Sequence, residues 1–285
     1  MTAAEKQKPL FEKGEIPELE AKPFLKWAGG KRRLAPQMMK HLPKNYSGRY
    51  FEPFLGGGAF FFALKPDSAV LADVNRRLIR TYSGVRYDVE RVIHRLSRCP
   101  FEKEFFLQLR TRNIDHAKCD TEVACWLIYL NKTAFNGLYR VNRSGGFNVP
   151  WGKYKNPTIC DAPTLRAASL VLRRAEFMCA DFEEAVKGAR AGDLVYFDPP
   201  YVPTNATANF TGYTKDKFNL DEQVRLRDVA LALKSRDVHV MLTNSDTRTV
   251  RELYSAEFKI HRLQARGSVA ANKKSRGKRI DLLMT

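Results

Sequence analysis

The chain has 285 residues and an ordinary apolar fraction of 44%, enough for one substantial α/β core with an inserted subdomain or for two small domains. Its charge is unusual, because 49 lysines and arginines against 31 acidic residues give a net charge of +18. Three long stretches contain no acidic residue at all: 21–50, 123–160 and 258–280. This distribution favours a polyanionic partner that contacts the protein through its phosphates. No strongly basic amphipathic helix points to a membrane surface instead.

Several classes of protein are disfavoured by what the sequence lacks. The five cysteines form no Cys-x-x-Cys pair and the five histidines no His-x-x-x-His pair, so we expect reduced thiols and no metal site. No apolar run approaches the roughly 18 to 20 residues that a membrane span needs. Residues 1–21 lack the apolar core of a secretory signal and are predicted to be a flexible arm. A soluble protein of the reducing cytoplasm is expected.

The first ordered segment is predicted at residues 24–31, Phe-Leu-Lys-Trp-Ala-Gly-Gly-Lys, ahead of a helix at 34–41. Its Gly-Gly-Lys suggests a phosphate-binding loop. However, a Walker loop needs glycine where the chain has Leu25 and serine or threonine where it has Arg32. A nucleoside triphosphatase is therefore disfavoured. The alternative is a basic turn before a helix.

A strand, a glycine turn and a short helix are predicted across residues 50–62, where three consecutive glycines follow Tyr-Phe-Glu-Pro-Phe-Leu. Such a turn lets the backbone approach a ligand closely. A second strand at 69–72 ends on Asp73, where a nucleoside-binding sheet places its ribose acceptor. The spacing favours an adenosine-type cofactor. The alternative is that Asp73 merely caps a helix at 76–82.

Residues 76–160 change to a helical pattern. Apolar residues recur at helical spacing over 89–96, 101–110 and 122–130. A long segment then follows at 131–154, rich in asparagine, arginine, aromatic residues and glycine. These side chains read base edges and stack on bases, so we expect a nucleic-acid-reading segment rather than a plain connection.

The central motif lies at the end of a buried strand predicted at 194–197, where Asp198, Pro199, Pro200 and Tyr201 follow. The carboxyl end of such a strand faces the ligand crevice of an open α/β sheet. A carboxylate, neighbouring carbonyl oxygens and an aromatic ring can together hold a flat molecule with an exocyclic amino group, such as a nucleobase. The alternative is an ordinary Pro-Pro turn.

The remaining elements complete the predicted sheet. A strand at 176–179 leads to Asp181 and Phe182, which could hold an adenine amino group and ring. The other predictions are a lid at 202–218, a helix at 219–234 capped by Asn219, strands at 238–243, 258–263 and 280–284, and a basic loop at 266–279.

With these residues placed, the chain resembles the Dam-type DNA adenine-N6 methyltransferases over residues 24–283. Six motifs occur in the family's order: Phe-Leu-Lys-Trp-Ala-Gly-Gly-Lys at 24–31, Glu-Pro-Phe-Leu-Gly-Gly-Gly at 52–58, Ala-Asp-Val-Asn at 72–75, Asn-Gly-Leu-Tyr-Arg-Val-Asn with Phe-Asn-Val-Pro-Trp-Gly within 136–152, Asp-Phe at 181–182, and Asp-Pro-Pro-Tyr at 198–201. Six motifs in one order are far more specific than any one of them.

The resemblance implies an α/β fold: a Rossmann-like mixed seven-stranded methyltransferase sheet with an inserted, mainly helical DNA-recognition subdomain. Residues 22–75 and 161–285 would form the catalytic domain and 76–160 the recognition subdomain. The expected cofactor is S-adenosylmethionine without a metal, and the expected partner is double-stranded DNA at GATC sites. The protein would act as a monomer, with a cognate restriction endonuclease as a separate partner on the same site.

The resemblance also assigns roles to individual residues. The catalytic residues would be Asp198, Pro199, Pro200 and Tyr201. The cofactor would be held by Trp27, Lys31, Glu52, Pro53, Phe54, Gly56, Gly58, Asp73, Asp181, Phe182 and Asp198. DNA would be contacted by Lys26, Phe135, Asn136, Leu138, Arg140, Asn142 and Pro150. Among these, Phe135 would wedge into the duplex, Asn136 would pair with the orphaned thymine, Leu138 would touch a thymine methyl group and Arg140 would read a guanine. The family commonly has tyrosine where this chain has Phe135.

Other targets stay open at this point. Related enzymes methylate cytosine N4, adenine in RNA, or the amide of a protein glutamine. Aspartate rather than serine or asparagine before Pro199 favours DNA adenine, and the basic segment at 131–154 disfavours a protein substrate. A non-catalytic DNA-binding protein of the same fold is a further alternative, disfavoured by the intact Asp198 and Tyr201.

Overall fold

The computed structural model describes residues 20–203, 218–264 and 280–285. The arm at 1–21, the lid at 202–218 and the basic loop at 266–279 therefore lie almost wholly outside the described residues. Where the chain is described, no helix is both long and apolar enough to cross a membrane.

A mixed sheet of seven strands forms the centre of the described structure, as the sequence predicts. The strands are β1 Tyr50–Glu52, β2 Ala69–Ala72, β3 Ala175–Met178, β4 Leu194–Phe197, β5 His239–Ser245, β6 Ile260–Gln264 and β7 Ile280–Met284. Their order across the sheet is β3-β2-β1-β4-β5-β7-β6. The first five in this order are parallel, and β7 runs antiparallel to both β5 and β6. The predicted Rossmann-like mixed sheet is confirmed.

Both faces of the sheet are covered, as β4 illustrates. All four of its residues are buried. Because successive side chains of a strand point to opposite faces, Leu194 and Tyr196 join one apolar core while Val195 and Phe197 join the other. This double burial explains why the strand is a continuous apolar run rather than an alternating one.

The helices of the described chain flank this sheet and build the block between β2 and β3. They are α1 Ala35–Met38, α2 Ala59–Leu64, α3 Arg76–Leu96, α4 Lys103–Thr111, α5 Asp120–Thr133, α6 Ala162–Leu172, α7 Phe182–Ala185, α8 Leu220–Lys234 and α9 Arg248–Tyr254. Short 3-10 turns occupy Met39–His41, Ile114–His116 and Phe135–Gly137. The helix expected at 34–41 is thus a short α-helix continued by a 3-10 turn. The helix capped by Asn219 is confirmed, since the Asn219 side chain accepts a hydrogen bond from the amide of Glu222 at 3.0 Å.

The block between β2 and β3 is organised around α3 and α5. The sequence predicts separate helices at 76–82 and 89–96, whereas the structure has one helix, α3, with a kink at Asp88. The Asp88 carboxylate accepts a hydrogen bond from the Thr121 hydroxyl of α5 at 2.6 Å. The helices approach closely at Gly84, where a Cβ atom would lie 2.6 Å from the carbonyl oxygen of Asp120.

The strand order determines where a ligand can bind. The next strand in the chain, β2, pairs with one side of β1, while β4 pairs with the other side of β1. In such sheets the ligand crevice opens beyond the carboxyl ends of the strands at this switch point. The residues that follow β1, β2 and β4 therefore face a common space.

Candidate active site and DNA-reading segment

A cavity of about 590 Å³ opens at the carboxyl ends of β1, β2 and β4. Its volume lies in the range typical of small-molecule sites. All residues predicted for catalysis or cofactor binding line it: Trp27, Lys31, Glu52, Pro53, Phe54, Gly56, Gly58, Asp73, Asp181, Phe182, Asp198, Pro199, Pro200 and Tyr201. Segments far apart in the sequence thus meet in one cavity.

The glycine turn after β1 forms one wall of the cavity. Gly56 and Gly58 both adopt positive φ angles, +47° and +63°, which side chains other than glycine rarely tolerate. A Cβ atom on Gly56 would also lie 2.8 Å from the indole of Trp27. Glycine is required here because the turn packs directly on that ring.

Asp73 lies at the end of β2 and supports the same turn. Its carboxylate accepts hydrogen bonds from the backbone amides of Gly56 at 3.1 Å and Asn75 at 2.9 Å. Burial raises the pKa of Asp73, while these two hydrogen bonds lower it. The side chain that caps α3 is that of Asn75, which accepts from the amide of Leu78. The alternative interpretation of Asp73 as the helix cap is therefore wrong.

Asp181 and Phe182 border the opposite side of the cavity. Both carboxylate oxygens of Asp181 accept hydrogen bonds from the guanidinium of Arg225, at 2.8 and 2.9 Å. This pairing lowers the pKa of Asp181 and holds it ionised. The buried ring of Phe182 stacks on Phe54, with centroids 5.4 Å apart. The two rings give this side of the cavity a flat apolar surface.

Asp198 lies at the centre, directly after β4. Lys31 Nζ lies 2.8 Å from its Oδ1 and 2.9 Å from its Oδ2. The Thr243 hydroxyl donates to Oδ1 at 2.8 Å. Burial raises the pKa of Asp198, whereas the Lys31 charge and the two hydrogen-bond donors lower it.

Tyr201 is held by surrounding side chains. Its hydroxyl donates to Oδ2 of Asp281 at 3.0 Å, and Lys31 Nζ lies 4.5 Å from its ring centroid. Asp281 belongs to β7 and is buried. The ring orientation therefore depends on a residue 80 positions away in the sequence.

Glu52 is a second buried carboxylate of the cavity. Its Oε2 accepts from the Tyr50 hydroxyl at 2.7 Å and from the Phe61 amide at 3.1 Å. Burial raises its pKa to about 8, although these hydrogen bonds oppose the shift. Glu52 is therefore largely protonated at neutral pH in the ligand-free protein.

Apart from Lys26, the residues predicted to contact DNA lie on a separate segment that begins at the end of α5. Phe135 and Leu138 are apolar side chains left 49% and 39% exposed. Asn136 between them adopts a left-handed conformation with φ of 53°. The Phe135 amide donates to the carbonyl of Pro150 at 2.9 Å, which brings the two ends of the segment together.

Two of the predicted DNA contacts also have partners inside the segment. The guanidinium of Arg140 donates from Nε to Oδ1 of Asn148 at 2.7 Å. The side-chain oxygen of Asn142 accepts from the amide of Gly146 at 2.7 Å and so closes the turn that follows. Lys26, from the first motif, lies against Tyr154, with Nζ 4.5 Å from its ring.

Sequence reasoning missed the residues that support the site from a distance. These are Thr243 on β5, Asp281 on β7, Asn131 at the end of α5, and Tyr139. Thr243 and Asp281 could have been flagged as polar residues within otherwise apolar strands. Asn131 and Tyr139 carry no such signal, since asparagine and aromatic residues recur throughout their segment. Among the described residues no group of three or more metal-ligating side chains could hold a metal ion, and the metal-free expectation stays a prediction.

Comparisons with known proteins agree with this arrangement. Residues 27–269 match the family described as D12 class N6 adenine-specific DNA methyltransferase. The chain is 42% identical to the Type II methyltransferase M1.LlaDCHI of Lactococcus lactis subsp. cremoris over 283 residues, 97% of this chain and 98% of that protein. It is 42% identical to the Type II methyltransferase M.MjaIII of Methanocaldococcus jannaschii over 80% of this chain and 85% of that protein. It is 36% identical to the DNA adenine methylase of Salmonella typhi over 92% and 93% of the two chains. The chain therefore belongs to the D12 class of N6 adenine-specific DNA methyltransferases.

Proposed function

We propose that this enzyme transfers a methyl group from S-adenosylmethionine to N6 of the adenine in GATC, acting on a base flipped out of double-stranded DNA. The observation that carries the proposal is that the Asp198 to Tyr201 segment, the glycine turn and Asp73 line the same cavity. Membership of a DNA methyltransferase family implies S-adenosylmethionine and a DNA substrate. The GATC recognition sequence and the flipping of the base go beyond family membership and are proposed here.

The cavity residues fit S-adenosylmethionine. The glycine turn presents backbone without side chains, Asp73 lies at the end of β2, and Phe54 and Phe182 supply a flat apolar surface. An adenosine group needs a hydroxyl acceptor and a ring-binding surface of this kind. When bound, the cofactor supplies an electrophilic methyl group on a positively charged sulfur. We assign its binding to Trp27, Lys31, the Glu52 to Gly58 turn, Asp73, Asp181 and Phe182.

The amino group of adenine is a poor nucleophile because its lone pair is delocalised into the ring. We propose that the Asp198 carboxylate and the Pro199 carbonyl accept hydrogen bonds from the two N–H groups of this amino group. This geometry draws N6 toward a tetrahedral form and directs its lone pair at the methyl group. The negative charge of Asp198 also stabilises the positive charge that develops on N6 during transfer.

The surrounding residues prepare Asp198 for this role. Thr243 holds Oδ1 at 2.8 Å, so the carboxylate has a defined orientation before the base arrives. Burial raises the pKa of Asp198, and the charge of Lys31 opposes this shift and so favours the ionised carboxylate. Tyr201 stacks on the base, with its hydroxyl held by Asp281.

The base must leave the duplex before it can reach this cavity, since its amino group is otherwise paired. Extrusion costs a few kcal/mol. We assign the wedge to Phe135, whose ring is half exposed, and the pairing with the orphaned thymine to the adjacent Asn136. Leu138 and Arg140 follow on the same segment and would read the neighbouring bases, with Lys26, Asn142 and Pro150 as further contacts.

The names of the relatives bear on the cellular role. Both Type II methyltransferases and DNA adenine methylases are among them. We propose that the protein is a monomer in the cytoplasm of a bacterial or phage-infected cell. Residues 22–75 and 161–285 would form its catalytic domain, and 76–160 its recognition subdomain. A restriction endonuclease acting separately on the same site would be its natural partner.

The direct test is methyl transfer from labelled S-adenosylmethionine to two duplexes, one with GATC and one with that site scrambled, followed by nucleoside analysis. We expect label as N6-methyladenine from the GATC duplex alone. Equal N6-methyladenine from both duplexes would refute the GATC assignment and keep the chemistry. Label in cytosine, or only in RNA supplied in a parallel reaction, would refute the assigned target.

A further inference from the structure

Tyr139 joins the two functional parts of the molecule. It lies between Leu138 and Arg140, the side chains to which we assign base reading. Its ring stacks on the indole of Trp27, with centroids 5.5 Å apart and planes 21° apart. Trp27 in turn packs against the glycine turn of the cofactor cavity. One aromatic stack therefore connects the cavity wall to the reading segment.

The position of Tyr139 in the backbone explains this connection. Leu138 has extended backbone angles, φ of −70° and ψ of 146°. Leu138 is exposed, whereas the next side chain, that of Tyr139, is half-buried and its ring turns inward to Trp27. The inward ring of Tyr139 also meets the edge of the buried Phe147, with centroids 6.0 Å apart.

Other contacts also hold the segment in place. The Asn131 side chain accepts from the Lys26 amide at 2.8 Å and donates to the carbonyls of Lys26 at 2.7 Å and Gly137 at 2.8 Å. On the far side, Arg77 of α3 donates to the carbonyl of Gly145 at 2.8 Å. The segment is thus attached at both ends, and the Tyr139 hydroxyl takes part in the second attachment through its hydrogen bond with Arg77.

We propose that Tyr139 is a positioning residue for DNA reading, because its ring on Trp27 fixes the backbone from which Leu138 and Arg140 reach the bases. The inference rests on the proposed function. Hydrogen bonds to base edges depend strongly on geometry, and a shift of about 1 Å is enough to weaken them. Loss of the ring should therefore reduce discrimination between DNA sequences more than it reduces cofactor binding.

The test compares Tyr139→Leu with Tyr139→Phe, which keeps the ring, and with Tyr87→Leu, which alters a tyrosine 73% exposed on α3. For each variant kcat/KM is measured on a GATC duplex and on duplexes altered at one base pair, together with the thermal midpoint and the affinity for S-adenosylhomocysteine. We expect Tyr139→Leu to lower the ratio of cognate to altered kcat/KM about tenfold, the value of one weakened base contact. Tyr87→Leu should keep the wild-type ratio. Tyr139→Phe keeps the ring but loses the hydroxyl that hydrogen-bonds to Arg77 and Asn75, and its ratio should stay closer to wild type than that of Tyr139→Leu.

A purely structural role for Tyr139 gives a different result. In that case Tyr139→Leu lowers kcat/KM on every duplex by the same factor, the ratio is unchanged, and the inference is overturned. Should Tyr139→Leu fail to fold, Tyr139→Met takes its place, because the flexible methionine side chain fills irregular gaps without a planar ring. Wild-type enzyme that methylates all duplexes equally would overturn the GATC proposal together with this inference. A specific wild type with an unchanged ratio in Tyr139→Leu would overturn the inference alone, so the two failures are distinguishable.

Discussion

The ammonium of Lys31 lies 2.8 and 2.9 Å from the two carboxylate oxygens of Asp198, although 167 positions separate these residues in the sequence. The same ammonium lies over the ring of Tyr201. Lys31 therefore contacts both groups that we assign to the target adenine. Its positive charge favours the ionised form of the buried carboxylate, because it lowers the pKa that burial raises.

Replacing Asp198 tests the proposed chemistry most directly. We expect Asp198→Ala to abolish methyl transfer and to leave cofactor binding nearly intact, because the lost carboxylate acts on the adenine amino group. Single-turnover rates and calorimetry with S-adenosylhomocysteine measure the two effects. Asp228→Ala, at an exposed aspartate of α8, is the control and should keep full activity. Substantial methylation by Asp198→Ala would disprove the assigned role.

Removing the Lys31 charge should change the pH dependence of transfer. The lysine lowers the pKa of Asp198, so Lys31→Met raises that pKa further above its ordinary value. Because the reaction needs the ionised carboxylate, the loss of single-turnover rate on acidification should begin at a higher pH. The exposed Lys40→Met serves as the control and should show the wild-type profile. Coinciding profiles for Lys31→Met and wild type would show that Lys31 does not tune Asp198.

Thr243 is expected to orient Asp198. Thr243→Val has nearly the same shape but lacks the hydroxyl that donates to Oδ1 at 2.8 Å. We expect kcat to fall roughly 10- to 150-fold, since one hydrogen bond to a charged group contributes roughly 1.5 to 3 kcal/mol. Thr243→Ser, which keeps the hydroxyl, should restore most of the rate. Equal rates for the valine and serine variants would rule out this role.

Glu52 should make the stability of the ligand-free protein depend on pH. Its pKa is about 8 in the folded protein against an ordinary value of 4.5, so between these values the folded state holds more protons than the unfolded state. The free energy of unfolding therefore falls as pH rises through this window. We expect Glu52→Gln to flatten the decline of the thermal midpoint between about pH 5 and 8. The exposed Glu257→Gln should leave it unchanged, and an unaltered decline in Glu52→Gln would contradict the prediction.

Arg140 is expected to read one guanine. Arg140→Ala should cost about 1 to 3 kcal/mol of discrimination at a single base pair, because a bidentate guanine contact is lost. The comparison uses kcat/KM on GATC duplexes altered at each position in turn. Arg143→Ala, which removes an exposed arginine from the same segment, controls for the loss of general charge. If discrimination at every position survives in Arg140→Ala, another residue reads the guanine.

The sequence by itself predicted the strands of the sheet and the residues that follow them. Gly56, Asp73 and Asp198 could be assigned to one site because parallel strands place their carboxyl ends at the same edge. The buried strand 194–197 was identifiable from its continuous apolar run. Local pattern was sufficient here because strand burial and strand ends are properties of short segments.

Only the tertiary structure decided which distant residues support that site. Strand order places β5 and β7 beside β4, and this brings Thr243 to Asp198 and Asp281 to Tyr201. It also assigned the α3 cap to Asn75 rather than Asp73, and it showed the stack of Tyr139 on Trp27. These contacts depend on how whole elements pack together, and no periodicity or motif within a short segment encodes that packing.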